Sequence, residues 1–265
     1  MSSNAIQPNP VLNIYGMVAE LVLNAPERKN ALSLAAWERI PDVLRELSAV
    51  PDVRVCVVKG EGGKSFCAGA DISEFDAIRS TKESALRYDE INVAAFTALK
   101  SLDMPVIAAI EGPCLGGGLG LALACDLRIA SRTAFFGIPA SKLGLAYPPE
   151  AFSDLLETVS SSNAKRILFT GDRFAAEDAL QMGLITETVD PSKLQGRINA
   201  LCDTLVSNAP LSIWAAKQVV NDMSAKTARD PAIHRQNAQT CIESADYREG
   251  CRAFLEKRHP EFTGS

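Results

Sequence analysis

Histidine is nearly missing from this chain. His234 and His259 are the only two among 265 residues, both late and in polar surroundings. A Ser–His–Asp or Cys–His arrangement would have to recruit one of them, and a pair of solvated surface histidines is the simpler account. Basic charge is not in excess either: Lys and Arg number 27 against 32 Asp and Glu, a formal charge of -5. That balance argues against nucleic acid, which needs a cationic face over many phosphates. Arg28-Lys29, Lys64 and Lys257-Arg258 are the local basic clusters, enough for one polyanionic small molecule. Long apolar runs are lacking as well. The longest near-apolar stretch, residues 115–125, contains three consecutive glycines and is too short to span a bilayer. Residues 1–10 hold no basic residue and no apolar segment of the kind that directs secretion. The seven cysteines (56, 67, 114, 125, 202, 241 and 251) are odd in number and scattered, with no Cys-x-x-Cys pair. Neither a disulfide framework nor a zinc site is indicated. The expectation is a cytoplasmic protein without metal, membrane or nucleic acid.

What is present is apolar mass, 47% of the residues, in an ordered alternation. Residues 18–23 read as a strand, and Ser33 reads as the N-cap of a helix to Ala49, with Pro41 as its weak point. Residues 53–59 and 106–110 are β-branched or small and apolar, the pattern of buried strands. Between them, residues 83–102 read as a helix with Ile91, Ala95, Ala98 and Leu102 on its inner stripe. A short helix over 119–124 and a strand over 127–130 follow. Repetition of strand, loop and helix predicts an α/β fold with a sheet covered by helices. After about residue 150 the periodicity is mostly helical, with 184–189 the only strand expected late and a charged helical segment over about 212–257. The division drawn is an α/β core, 1–200, and a C-terminal helical region, 201–265, with no low-complexity linker.

Two tempting motifs fail. The run Gly62-Gly63-Lys64-Ser65 ends like a phosphate-binding loop, but position 58, where that motif needs glycine, is Val58. The run Gly116-Gly117-Gly118-Leu119-Gly120 meets Leu121, or Leu123 from a start at Gly118, where a dinucleotide fingerprint needs glycine. More informative is a design that occurs twice. A buried strand leads to Ser65-Phe66-Cys67-Ala68-Gly69-Ala70-Asp71-Ile72, and another leads to Gly112-Pro113-Cys114-Leu115-Gly116-Gly117-Gly118-Leu119. Small residues let a ligand approach the backbone, and free N–H groups at a helix start attract anionic oxygen. Either loop alone reads as a tight strand-to-helix turn. Facing each other, they would form a paired-donor oxyanion hole.

In this order the segments resemble the crotonase, or enoyl-CoA hydratase/isomerase, superfamily over nearly the whole chain. The matching stretches are 24–32 (Asn-Ala-Pro-Glu-Arg-Lys-Asn-Ala-Leu), 66–72, 112–126, Phe136-Gly137-Ile138-Pro139, Leu143-Gly144-Leu145 and Asn208-Ala209-Pro210. The resemblance implies a spiral of repeated ββα units with a C-terminal helical oligomerisation region, assembled as a homotrimer or homohexamer. It implies an acyl-CoA thioester as partner, with coenzyme A entering as part of the substrate and no separate cofactor. The oxyanion donors would be the N–H groups of Ala70 and Gly117. Ala68, Asp71 and Ile72 would line the thioester and pantetheine end, with Arg28 and Lys29 near the phosphates or adenine. Phe254 and Lys257 would reach a coenzyme bound mainly by a neighbouring subunit, or else form a solvated helix end.

The chain departs from the family where its hydratases carry two catalytic glutamates: those positions are Gly120 and Ala140. The aspartate of the dienoyl isomerases aligns with Pro148. Each missing acid–base group would lower a hydration rate by about two to four orders of magnitude. The run Leu143-Gly144-Leu145-Ala146-Tyr147 resembles the methylmalonyl-CoA decarboxylase branch, which implies a substrate contact for Tyr147. An aromatic packed at the turn before Pro148-Pro149 is the plainer reading of that tyrosine, as a helix cap is of Asp71. Three functions remain open: decarboxylation of a malonyl-type thioester, hydration or isomerisation through another group such as Glu150 or Asp154, and acyl-CoA binding without catalysis. A nucleophilic Cys67 or Cys114 is a weaker fourth, since no base stands beside either.

Overall fold

The computed structural model describes residues 9–224 and 230–265; most of the 1–10 stretch and residues 225–229 of the late helical segment lie outside the described residues. Strands β1 (Val11–Tyr15) and β2 (Val18–Leu23) are followed by helix α1 (Leu34–Ser48) and β3 (Val55–Gly60). Next come the short α2 (Phe75–Ile78), the long α3 (Lys82–Lys100), β4 (Val106–Ile110), β5 (Pro113–Leu115) and α4 (Gly117–Leu123). Then β6 (Leu127–Ser131) and β7 (Phe135–Gly137) precede α5 (Pro149–Thr158), α6 (Ser161–Thr170), β8 (Phe174–Ala175), α7 (Ala176–Gln181) and β9 (Glu187–Val189). The chain ends in α8 (Leu194–Ser207), α9 (Pro210–Ser224), α10 (Pro231–Glu243) and α11 (Ala245–Glu256).

The larger sheet has the order β1-β2-β3-β4-β6-β9, with β1 antiparallel and every other neighbour pair parallel. Parallel central strands are covered on both faces, which is why Val55-Cys56-Val57-Val58 is apolar without alternation. Cys56 and Val58 face the main core, whereas Val55 and Val57 pack with Ile107 and Ile129 under Leu194, Ile198 and Cys202 of α8. Helix α8 runs through residue 200, so the 200/201 division falls within an element packed on the sheet. Among the described residues no helix is long and apolar enough to cross a membrane.

A second row of pairings runs beside the sheet. Leu32 bridges Ala70, Cys67 bridges Cys114, and β5 pairs parallel with β7, which pairs with β8. Each turn of the chain thus gives one strand to the large sheet, one to this second row, and then a helix. This is the expected spiral of ββα units.

Ser33 caps α1 by accepting a hydrogen bond from the Ala36 N–H, and Pro41 remains inside the helix. A proline there costs about 3 kcal/mol or more. Burying Trp37, Ile40, Val43, Leu44 and Leu47 outweighs it, at roughly 1.5–3 kcal/mol for each large side chain. Three local expectations are corrected. β1 has no buried position and shows no strand pattern; it exists because Gly16, at φ +60°, folds it back on β2. The short strand β8 joins β9 among the late strands. The inner face of α3 consists of Tyr88, Asn92, Ala95, Phe96 and Leu99, with Ile91 and Ala98 only half-buried at its flanks.

Candidate functional site

The two glycine-bearing loops meet through the Cys67–Cys114 bridge. Leu115 N–H donates to Cys67 O and Cys67 N–H to Pro113 O, each at 3.0 Å. Ala70 and Gly117 each lie three residues beyond this pair, Ala70 at its bridge to Leu32 and Gly117 at the start of α4, and the pairing brings them side by side. A Cβ built on Gly117 would stand 4.0 Å from Ala70 N, and one built on Gly69 would stand 3.3 Å from Gly117 N. Each is preceded by a glycine at positive φ, Gly69 at +97° and Gly116 at +52°, which turns the peptide carrying the N–H.

Both N–H groups are free for local reasons. Leu32 pairs with Gly69 O and Asp71 N, leaving the Ala70 amide on the opposite side. Gly117 is the first residue of α4, where no intrahelical acceptor exists. Among the backbone bonds of the described residues, neither N–H donates. Both residues line one cleft, with Ala68, Ile72, Ala140 and Tyr147 also in its wall.

The loop 24–32 is clamped against this site by Asn30, fully buried at φ +56°. Its Nδ2 donates to Ser65 O at 2.7 Å and to Glu61 O at 3.0 Å, while its Oδ1 accepts from Ala25 N. Arg28 and Lys29 are exposed on that loop, and Ala68 N–H donates to Lys29 O. Arg28 pairs with Asp71 Oδ2 at 2.6 Å, and Ser73 donates both its hydroxyl and its N–H to Asp71 Oδ1. The Ser73 hydrogen bond first, and then Arg28, holds the Asp71 carboxyl below the usual carboxylate range. Asp71 is therefore a cap and an ion-pair partner, and it does not line the cleft.

Tyr147 sits against α4. Its hydroxyl lies 3.4 Å from Gly116 O, and its ring is edge-on to Phe152 at 6.0 Å. A Cβ built on Gly120 would come within 2.6 Å of Phe96 Cζ and 2.9 Å of Tyr147 Oη. The space that a side chain at position 120 would enter is therefore filled by these two aromatic residues. Burial, with Asp154 nearby, pushes the Tyr147 pKa up, so the hydroxyl stays protonated at neutral pH.

Neither Glu150 nor Asp154 lines the cleft; Glu150 is exposed on α5, and Asp154 is held by Lys100 Nζ. Cys67 and Cys114 are fully buried, and burial pushes Cys67 up to about 12 and Cys114 well above its ordinary value, so neither is a ready nucleophile. Among the described residues no cluster of His, Cys, Asp or Glu could hold a metal. Phe254 and Lys257 lie on and just after α11, both exposed and outside the cleft wall.

Sequence reasoning missed the opposite wall: Arg79, Tyr88, Asp89 and Asn92, with Trp37 behind Gly117. Arg79 donates to Asp89 at 2.7 Å and lies over the Tyr88 and Phe75 rings at 5.0 and 5.5 Å. The available signal was spacing, since 88, 92, 95 and 99 fall on one helical face.

Comparison with known proteins agrees with this architecture. Residues 13–265 match the family described as enoyl-CoA hydratase/isomerase. A short-chain-enoyl-CoA hydratase of Clostridium acetobutylicum is 33% identical, over 96% of this chain and 97% of that protein. A peroxisomal Delta(3,5)-Delta(2,4)-dienoyl-CoA isomerase of Arabidopsis thaliana is 30% identical, over 94% of each. The crystal structure of an enoyl-CoA hydratase/isomerase family protein from Hyphomonas neptunium superposes with a TM-score of 0.93 at 36% identity, over 98% of this chain and 99% of that one. The chain belongs to the enoyl-CoA hydratase/isomerase family of acyl-CoA-processing enzymes.

Proposed function

We propose that this protein binds an acyl-CoA thioester with its carbonyl oxygen between the N–H groups of Ala70 and Gly117, and that it decarboxylates a malonyl-type acyl group. The observation that carries the reading is the substitution at the α4 turn. Position 120 has no side chain, position 140 is alanine, and the Tyr147 hydroxyl occupies the space beside Gly120. Loss of CO2 breaks a carbon–carbon bond and sends its electron pair into the thioester, making an enolate without removing a proton. Two aligned N–H donors serve that step, each worth on the order of 3 kcal/mol in barrier height. Tyr147, protonated because of its burial, then supplies a proton to the α-carbon, and solvent restores it.

Arg28 and Lys29, exposed beside the 68–72 loop, take the phosphate end of the coenzyme. Phe254, 84% exposed, and Lys257 at the end of α11 reach the coenzyme of a neighbouring subunit in a homotrimer or homohexamer. Coenzyme A enters with the substrate and no separate cofactor is used. A second reading, hydration or double-bond isomerisation, is favoured by the names of the relatives and by Asp89, among the described residues the one carboxylate in the cleft wall. Asp89 is tied to Arg79, which leaves it a poor candidate for a free base. Incubation with enoyl-, malonyl- and methylmalonyl-CoA thioesters, read by product mass, separates the two. Loss of CO2 is expected; gain of water or a shifted double bond with no CO2 loss overturns decarboxylation. Binding without turnover assigns the chain to acyl-CoA binding alone.

A further inference from the structure

The wall of the cleft contributed by α3 is polar where an acyl-binding wall would be expected to be apolar. Tyr88 and Asn92 are one helical turn apart, 3% and 8% exposed, and both line the cleft. Trp37, fully buried, stands behind Gly117, its Cζ2 2.9 Å from a Cβ built there. The Tyr88 hydroxyl, the Asn92 Nδ2 and the Trp37 Nε1 are all buried; Asn92 and Trp37 bear on the Tyr88 oxygen, and beyond one another none has a hydrogen-bond partner among the described residues. Native proteins pair nearly all such groups, and an unmet one costs about 1–3 kcal/mol. Asn92 and Trp37 can donate to the Tyr88 oxygen, which leaves the Tyr88 O–H and a second Asn92 N–H, both at the cleft wall, asking for a ligand that satisfies them.

All three can donate. Burial pushes the Tyr88 hydroxyl up to about 12, against the opposing influence of Asn92, Arg79 and Trp37 nearby, so it is protonated at neutral pH. Arg79 lines the same cleft, over the Tyr88 and Phe75 rings. Its charge is matched by Asp89, so the wall offers hydrogen-bond donors with little net charge.

We infer that Tyr88 and Asn92, backed by the buried Trp37, form a specificity subsite for an acyl group bearing an oxygen acceptor, keto or carboxylate, beyond the thioester. The inference rests on the thioester reading of the cleft. An alkyl acyl group would leave the Tyr88 O–H and an Asn92 N–H unmet, whereas an acceptor oxygen would meet them.

Isothermal titration of butyryl-CoA, acetoacetyl-CoA and succinyl-CoA tests this. The two oxygen-bearing thioesters differ in whether the acceptor is a neutral carbonyl or a carboxylate. At least one should bind about tenfold to a hundredfold more tightly than butyryl-CoA, the ratio that one or two met donors give. In Asn92→Leu and Tyr88→Phe, with folding checked by thermal denaturation, that ratio should fall toward one. Equal affinity for all three thioesters overturns the subsite and leaves the thioester reading standing. Binding of none overturns both. An undiminished preference in both variants overturns the assignment to these residues.

Discussion

Adding one methyl group at Gly120 tests the coupling between this glycine and Tyr147. The Cβ of Gly120→Ala would stand 2.6 and 3.0 Å from Phe96 Cζ and Cε1 and 2.9 Å from Tyr147 Oη. Phe96 has little room to yield, being 5% exposed and edge-on to the fully buried Trp37 at 5.8 Å. Overpacking of this kind costs about 1–3 kcal/mol. Alanine recovers about 1 kcal/mol over glycine in a helix interior, leaving a net loss of about 0–2 kcal/mol. For a chain of this length the melting temperature should drop by no more than about 8 °C.

Activity should suffer more than stability, because the Tyr147 hydroxyl must leave its place. Loss of a positioned proton donor lowers turnover by about two orders of magnitude or more. A second substitution separates the two effects. Phe96→Leu on the Gly120→Ala background relieves the ring contact and should restore the melting temperature, while the methyl still displaces Tyr147 and turnover stays low. Thermal denaturation and malonyl-type thioester decarboxylation, measured side by side, provide the readouts. Full turnover in Gly120→Ala would refute the dependence on Tyr147. Restored turnover in the double variant would place the defect in Phe96 instead.

Further expectations follow from the same geometry. Gly117→Ala pushes a methyl to 2.9 Å from a Trp37 ring that is fully buried, so one aligned donor is lost; turnover should fall by about two to three orders of magnitude, and a native rate would exclude the Gly117 amide. Asp71, whose carboxyl is held below the usual range by Ser73 and Arg28, stabilises the fold above its unfolded value and loses that contribution as pH falls through its folded one. The difference in melting temperature between wild type and Asp71→Asn should therefore shrink below about pH 4, and a constant difference would refute the pairing. Alkylation by iodoacetamide under native conditions, followed by mass spectrometry, should reach Cys251, which is exposed, and more slowly Cys241. Cys56, Cys67, Cys114, Cys125 and Cys202 are buried, and rapid modification of Cys67 or Cys114 would contradict their raised pKa values.

Much of the fold could be read from the sequence wherever one periodicity dominates. Val18–Leu23 and Val106–Ile110 are strands at the expected bounds, and the Ser33 cap fixes the start of α1. The two small-residue loops were legible for a different reason, their composition, and where they meet, the free N–H groups of Ala70 and Gly117 each follow a glycine at positive φ. β1 was not legible, because an edge strand with no buried residue carries no alternation to find.

The α3 stripe was incomplete for a more instructive reason. Ala95 and Leu102 are buried and Ile91 and Ala98 pack against the core, but reading a helix by its apolar residues passes over polar ones on its inward face. The face that turns inward carries Tyr88 and Asn92 beside Ala95 and Leu99. A polar residue at a core position is unfavourable unless its hydrogen bonds are met, and those of Tyr88 and Asn92 are met within the described residues by one another and Trp37 at most. Local preference and tertiary position disagree here, and such disagreements concentrate where a protein binds something. The residues passed over in the sequence are thus the ones that border the cleft, and the inferred subsite would give their polarity a reason.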